Sequence, residues 1–245
     1  MKTLKMLGIL ATLASVVATG RASVQLIEFG ESSLNAAIPD NNAAGLARTQ
    51  TLSGYTDYSP YTVTVSLKIT ALGAAAFNGD FYVDLRHTSA DGATTQLAVL
   101  LNRLGRSVAM PAGYSDSGLD VTLDDAAANG DIHNYRLTLN GSPASPIPGM
   151  LTGTWQADGR TADPLQVLDS SLRTTSLNGL GASSPNGTWT LFLSDQKAGG
   201  TGQLVEWKVS MQGVPEPSSA SLLVLGLAVV FSRRRRRGSF AGDGR

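Results

Sequence analysis

The chain has 245 residues with 19 basic and 19 acidic side chains and no cysteine. The missing thiols exclude disulfides, thiolate metal centres and cysteine nucleophiles together, and the charge balance argues against a nucleic-acid binder. The zero net charge is a sum over unlike pieces: three basic residues lie in the first 22, six arginines lie after residue 213, and residues 23–213 hold 10 basic and 17 acidic residues, a net of about −7.

Residues 1–22 open with Lys2 and Lys5, continue through the apolar stretch Met6–Ala18 and end on small residues around Gly20 and Ala22. A basic start, a short apolar run and a small-residue exit describe a secretory signal peptide, a helix taken up by the Sec translocon and cleaved after Gly20 or Ala22. The same run read as a membrane anchor is short for a bilayer core of about 30 Å.

Residues 23–213 fit one domain. Period-two alternation recurs along them. In Thr62–Ile69, Val63, Val65, Leu67 and Ile69 face one way and Thr62, Thr64, Ser66 and Lys68 the other, the pattern of a half-buried strand. Phe81, Val83 and Leu85 alternate with Tyr82, Asp84 and Arg86, and Tyr135, Leu137 and Leu139 with Arg136 and Thr138. Trp189, Leu191 and Leu193 form another face, and Val205, Trp207, Val209 and Met211 a further one; Gln96–Leu101 and Leu119–Leu123 are additional strands. Turn signals separate them, among them Asn78-Gly79, Asp91-Gly92, Asn140-Gly141 and Asn186-Gly187. Seven to nine short strands with glycine turns and no convincing helix predict an all-β, jelly-roll-like sandwich. Of the tryptophans, Trp189 and Trp207 alternate with core residues, whereas Trp155 follows a proline-rich loop, Ser142–Gly149, and is the best candidate for an exposed, sugar-stacking aromatic.

Beyond the domain the chain reads Val214, Pro215, Glu216, Pro217, then small polar residues, then the unbroken apolar run Leu222–Phe231, then Arg233, Arg234, Arg235, Arg236 and Arg237. An apolar transmembrane or sorting helix with a basic stop-transfer block on the cytoplasmic side accounts for that order. The order PEP, apolar helix, basic cluster resembles the PEP-CTERM sorting signal of Gram-negative bacteria. By that resemblance, residues 214–237 hold the precursor in the inner membrane, Pro215, Glu216 and Pro217 are the recognition motif of an exosortase, the destination is the cell surface or an exopolysaccharide matrix, and residues 238–245 are a disordered tail.

The domain carries a resemblance of its own. Ile38–Asn42 reads IPDNN, Gly79–Leu97 reads GDFYVDLRHTSADGATTQL, Asp120–Ala127 reads DVTLDDAA, Asn186–Asp195 reads NGTWTLFLSD and Gly202–Met211 reads GQLVEWKVSM. Together they resemble the P domain, or P/Homo B domain, found after the catalytic domain of subtilisin-like proprotein convertases. Ala71–Phe77 and Ala112–Gly118 depart from that pattern. The resemblance implies a β jelly roll that stabilises a protease and in many members binds calcium.

Catalytic chemistry has little to work with. Only His87 and His133 are available to a Ser/His/Asp triad and neither lies in a subtilisin-like motif; no metal-ligand or paired-carboxylate pattern stands out. Calcium is the sharper expectation, because it takes six to eight oxygen ligands and the domain holds 14 aspartates, concentrated at strand ends and glycine turns. Asp80, Asp124, Asp125 and Asp195 match acidic positions of the P-domain pattern, and a jelly roll could gather them at one edge. The alternative is that these short side chains cap turns. The sequence thus predicts an exported, non-catalytic domain with a structural or adhesive role, the alternative being a binding module for carbohydrate or for a separate serine protease acting in trans.

Overall fold

A computed structural model describes residues 25–55, 58–181 and 184–215. Residues 1–22, expected to be a signal peptide, together with Glu216, Pro217, the apolar run, Arg233 to Arg237 and residues 238–245, lie outside the described residues. Among the described residues no helix is long and apolar enough to cross a membrane.

Among the described residues, ten strands form two sheets. The first runs β1 (Gln25–Glu31), β10 (Gly202–Pro215), β4 (Tyr58–Ala71), β7 (Leu119–Asp124), β8 (Leu151–Trp155), with the two-residue β2 (Ala36–Ala37) also on β10; the second runs β3 (Asn42–Leu52), β9 (Gly187–Asp195), β5 (Phe81–Ser89), β6 (Thr95–Asn102). Every pair is antiparallel except β7 with β8. The chain changes sheet at most connections, so among the described residues β5–β6 is the one hairpin between sequential strands. Its turn is the Asp91-Gly92 pair: Gly92 takes φ 71° and the Asp91 carboxylate accepts from Ser89 Oγ and the Ala93 amide. The inner faces share one apolar core that joins Val63, Val65, Leu67 and Ile69 of β4 to Phe81, Val83, Leu85, Leu191 and Leu193 of the second sheet. Phe29 of β1 reaches across to Trp189, ring centroids 5.4 Å apart. This is the β-sandwich expected from the alternation.

Three expectations are corrected. Tyr135–Asn140 is a short helix, α1, not a strand. Tyr135 and Arg136, adjacent in sequence, are both buried, which a strand with one solvated face cannot arrange; the Tyr135 hydroxyl and the Arg136 guanidinium each reach Asp116 at 2.6 Å, and Leu137 and Leu139 are left exposed. Gly141, at φ 67°, ends the helix in the left-handed conformation that glycine adopts cheaply. Second, Val205 drops off the core face of β10, because a register shift between Leu204 and Glu206 puts Leu204 inward with Trp207, Val209 and Met211. Third, Trp155 is fully buried, with its indole N–H donating to the Thr152 carbonyl, so it offers no stacking surface.

Candidate functional site

The site grows out of a tight backbone crossing. Asn78–Asp80 form a single 3₁₀ turn leading into β5, and this turn is held against the Tyr114 segment by Gly79 N–H to Tyr114 C=O and Asn78 N–H to Asp116 C=O, both 2.8 Å. A side chain at Gly79 would put its Cβ 2.5 Å from the Tyr114 nitrogen, so only glycine fits. Arg103, buried and itself at φ 53°, donates its Nε–H to the Gly79 carbonyl and a terminal N–H to the Ala112 carbonyl. The consequence is that Asp80 is fixed at the start of β5, where Phe81 lies opposite Asp195 at the end of β9 and the Gln196 amide donates to the Asp80 carbonyl.

Two buried acids therefore stand together. Asp80 is 6% exposed and Asp195 1%. The nearest cation to Asp80 is Arg103, at 4.0 Å, too long for a strong hydrogen bond. One Asp195 oxygen accepts from the Lys197 amide at 3.0 Å and the Asn41 amide also favours the carboxylate, while Oδ2 is buried without a hydrogen bond of good geometry. Burial pushes both carboxyls up to about 6; at Asp80 the neighbouring Asp195 charge adds to this and Arg103 opposes it, and at Asp195 the Lys197 and Asn41 amides oppose it while the Asp40 charge adds. Beside Asp80 opens a cavity of about 280 Å³, lined also by Phe77, Gly113, Tyr114 and Lys197.

Asp124 and Asp125 lie elsewhere. Asp124 is at the far end of β7, five residues along from Leu119, or about 16 Å at strand spacing; its carboxylate caps a turn by accepting from the Ala126 amide. Asp125 accepts from the Leu177 and Asn178 amides at 3.1 and 2.8 Å and pins that loop. The four predicted aspartates thus divide into one pair that is brought together and two turn caps. Sequence reasoning did not assign Asp40, Arg103 or Lys197 to the site; Asp40 stood in the IPDNN segment, but nothing in spacing joined it to β9. Among the described residues no three His, Asp or Glu side chains converge closely enough to hold a metal ion. A hard cation at this pole would rest on Asp80 and Asp195 with carbonyl oxygens completing its shell, and the orphaned Asp195 oxygen is the feature that fits one.

Both histidines are buried and engaged. His87 stacks on Trp189 with centroids 4.2 Å apart and its Nε2 meets the Asn186 carbonyl at 3.1 Å. His133 meets Asp158 at 2.8 Å through Nδ1 and the Arg106 carbonyl through Nε2. On the outer face of the first sheet lies a second depression, about 340 Å³, lined by Ser66, Lys68, Asp120, Thr122, Thr154 and Glu206 among others.

Residues 213–237 match the family model of the PEP-CTERM protein-sorting motif. The motif marks an exported, membrane-processed protein of a Gram-negative bacterium that an exosortase recognises. No P/Homo B family model matches, and no curated protein does. Among solved structures the chain is similar to the serine protease of Aeromonas sobria, alone and in complex with its chaperone ORF2. Identities are 14% and 13%, with a TM-score of 0.38 in both cases; the matches cover 78% of this chain and 27% of those proteins. This chain therefore aligns with about a quarter of their length.

Proposed function

We propose that this protein is a non-catalytic, P-domain-like sandwich delivered by exosortase-dependent sorting to the cell surface or the exopolysaccharide matrix, where it acts as a structural or adhesive element stiffened by calcium at Asp80 and Asp195. The orphaned, fully buried Oδ2 of Asp195 carries the calcium part of this reading. An unpaired buried oxygen beside a second carboxylate is costly, and a divalent cation relieves both the desolvation and the repulsion at once. Calcium is favoured over transition metals because the donors are oxygens only. Thermal unfolding of the domain in excess calcium and in chelator tests it: a rise in Tm with calcium supports the site, and coincident curves reject it.

A second reading rests on the polar depression of the first sheet. Serine, threonine, lysine and carboxylate side chains side by side are the hydrogen-bonding complement of a polysaccharide chain, and the protein would then be a carbohydrate-binding module. A protease partner acting in trans is the other binding-module alternative. Retention of the protein on purified exopolysaccharide, lost on substituting Lys68, Asp120 and Glu206 together, separates this reading from the first.

A further inference from the structure

Of the two buried acids, Asp80 is the one that looks outward. It is 6% exposed, and the exposed part is side chain, 8% of which stays accessible where the residue lines the cavity of about 280 Å³. Its carboxylate accepts no hydrogen bond among the described residues, and Arg103 stands off at 4.0 Å. On the rim lies Lys197, exposed and without an ion pair among the described residues, yet near enough for its charge to be felt at Asp80. The half-buried Phe77 gives the wall its aromatic side chain, since the Tyr114 ring is buried under the Arg136 guanidinium, 4.5 Å from the ring centroid. This wall is preformed: Gly113, at φ 79°, crosses Gly79 so closely that a Cβ on it would lie 2.8 Å from the Gly79 Cα.

A buried acceptor, a donor on the rim and an aromatic wall are the complement of a sugar, whose hydroxyls both donate and accept and whose C–H face is apolar. We propose that this cavity seats a single sugar ring, one hydroxyl donating to the Asp80 carboxylate while its neighbour accepts from the Lys197 ammonium, with Phe77 against the ring. At about 280 Å³ the space falls below the roughly 300–1,000 Å³ of sites for drug-sized ligands, so the seat takes a chain end or a one-sugar branch and not the run of a polysaccharide. It therefore goes beyond the depression on the first sheet and does not depend on it. An ammonium ligand is the poorer match, because Lys197 on the rim repels it. A carboxylate offers about four acceptor positions, so Asp80 can serve a hydroxyl on the cavity side and a cation toward Asp195 together.

Binding of methyl glycosides of glucose, mannose, galactose and N-acetylglucosamine to the full chain, followed by saturation-transfer NMR in chelator, tests the seat. At least one of them is expected to bind the unmodified chain. Asp80→Asn should weaken it about tenfold, the loss of a hydrogen bond to a charged acceptor. Lys197→Ala, at an exposed position that folding does not need, should weaken it about threefold. The combined Lys68, Asp120 and Glu206 variant should bind the glycoside as the unmodified chain does, whatever it does to retention on the polymer, so the two surfaces are told apart. Four outcomes overturn the seat: no glycoside bound by the unmodified chain; equal binding by Asp80→Asn and Lys197→Ala; loss of glycoside binding in the first-sheet variant alone; or displacement of the glycoside by ethylammonium at equal concentration, which would make the cavity a cation site.

Discussion

Two buried acidic clusters in this protein contrast. At Asp158 both carboxylate oxygens are used: Oδ2 accepts from His133 Nδ1 at 2.8 Å and the Asn102 amide at 3.2 Å, Oδ1 accepts from Arg160 at 3.0 Å, and Arg160 goes on to Asp131 at 2.7 Å, although Asn102 Oδ1 and Arg160 Nε beside them stay unpaired. Around Asp195 the nearest side chains of complementary charge stand off, one oxygen is orphaned, and two further aspartates raise its proton affinity or share its burial. The same residue type, equally buried, ties loops together through both oxygens in the first cluster and through only one in the second. Burial alone does not distinguish a functional acid from a structural one; the census of donors does.

The largest expected effect lies in the cluster around Asp158. Asp158→Ala leaves the Arg160 charge and the His133 ring without their buried partner and should destabilise the domain by about 3–5 kcal/mol in urea unfolding, with no dependence on calcium; a loss under 1 kcal/mol would erase the contrast. At the other cluster the sign reverses. Asp195→Asn removes a buried charge that repels Asp80, so calcium-free stability at pH 7 should rise by about 1–3 kcal/mol, while the calcium response disappears. A variant less stable than the unmodified protein in chelator would show that the orphaned oxygen has a partner after all.

Acidity sharpens the same point with a smaller expected effect. Asp80 and Asp195 hold protons up to about pH 6 in the fold, whereas an unfolded aspartate releases its proton near 3.9. Between these values the folded state binds more protons than the unfolded one, so calcium-free stability falls as pH rises from about 4 to 6 and stays lower above 6. Lowering the pH from 7 to 5 in chelator should therefore stabilise the domain by about 1–2 kcal/mol, and saturating calcium should flatten the trend; a protein that loses stability over that range contradicts the assignment. Smallest of all, Lys68→Ala breaks an exposed ion pair with Asp120, 2.8 Å apart, and should leave Tm unchanged within error.

The strands that line the core were legible because burial on one face writes a period of two into the sequence: β4 keeps Val63, Val65, Leu67 and Ile69 inward without a break. β3 was not, since NAAGLARTQTL is an edge strand with little buried side chain and so no alternation to read. α1 was misread because six residues are too few to separate a period of 2 from one of 3.6, and what settles it is Asp116, nineteen residues upstream, drawing Tyr135 and Arg136 inward together. For the candidate site, motif likeness named Asp80 and Asp195, which the fold brings together, but grouped them with Asp124 and Asp125, which sit at the other end of the sandwich. Neighbours along one chain segment do not reveal which end of a sheet they occupy. Asp40 and Arg103 join the site through long-range crossings that leave no local trace.

The place of β10 also sets the order of events during export. This strand is the last to emerge, yet it lies between β1 and β4 in the middle of its sheet, pairing with residues nearly two hundred positions earlier. Until it arrives, β1 has no partner and the inner edge of β4 is bare. Contacts so distant in sequence form slowly, so the first sheet closes only once residues 202–213 have joined it.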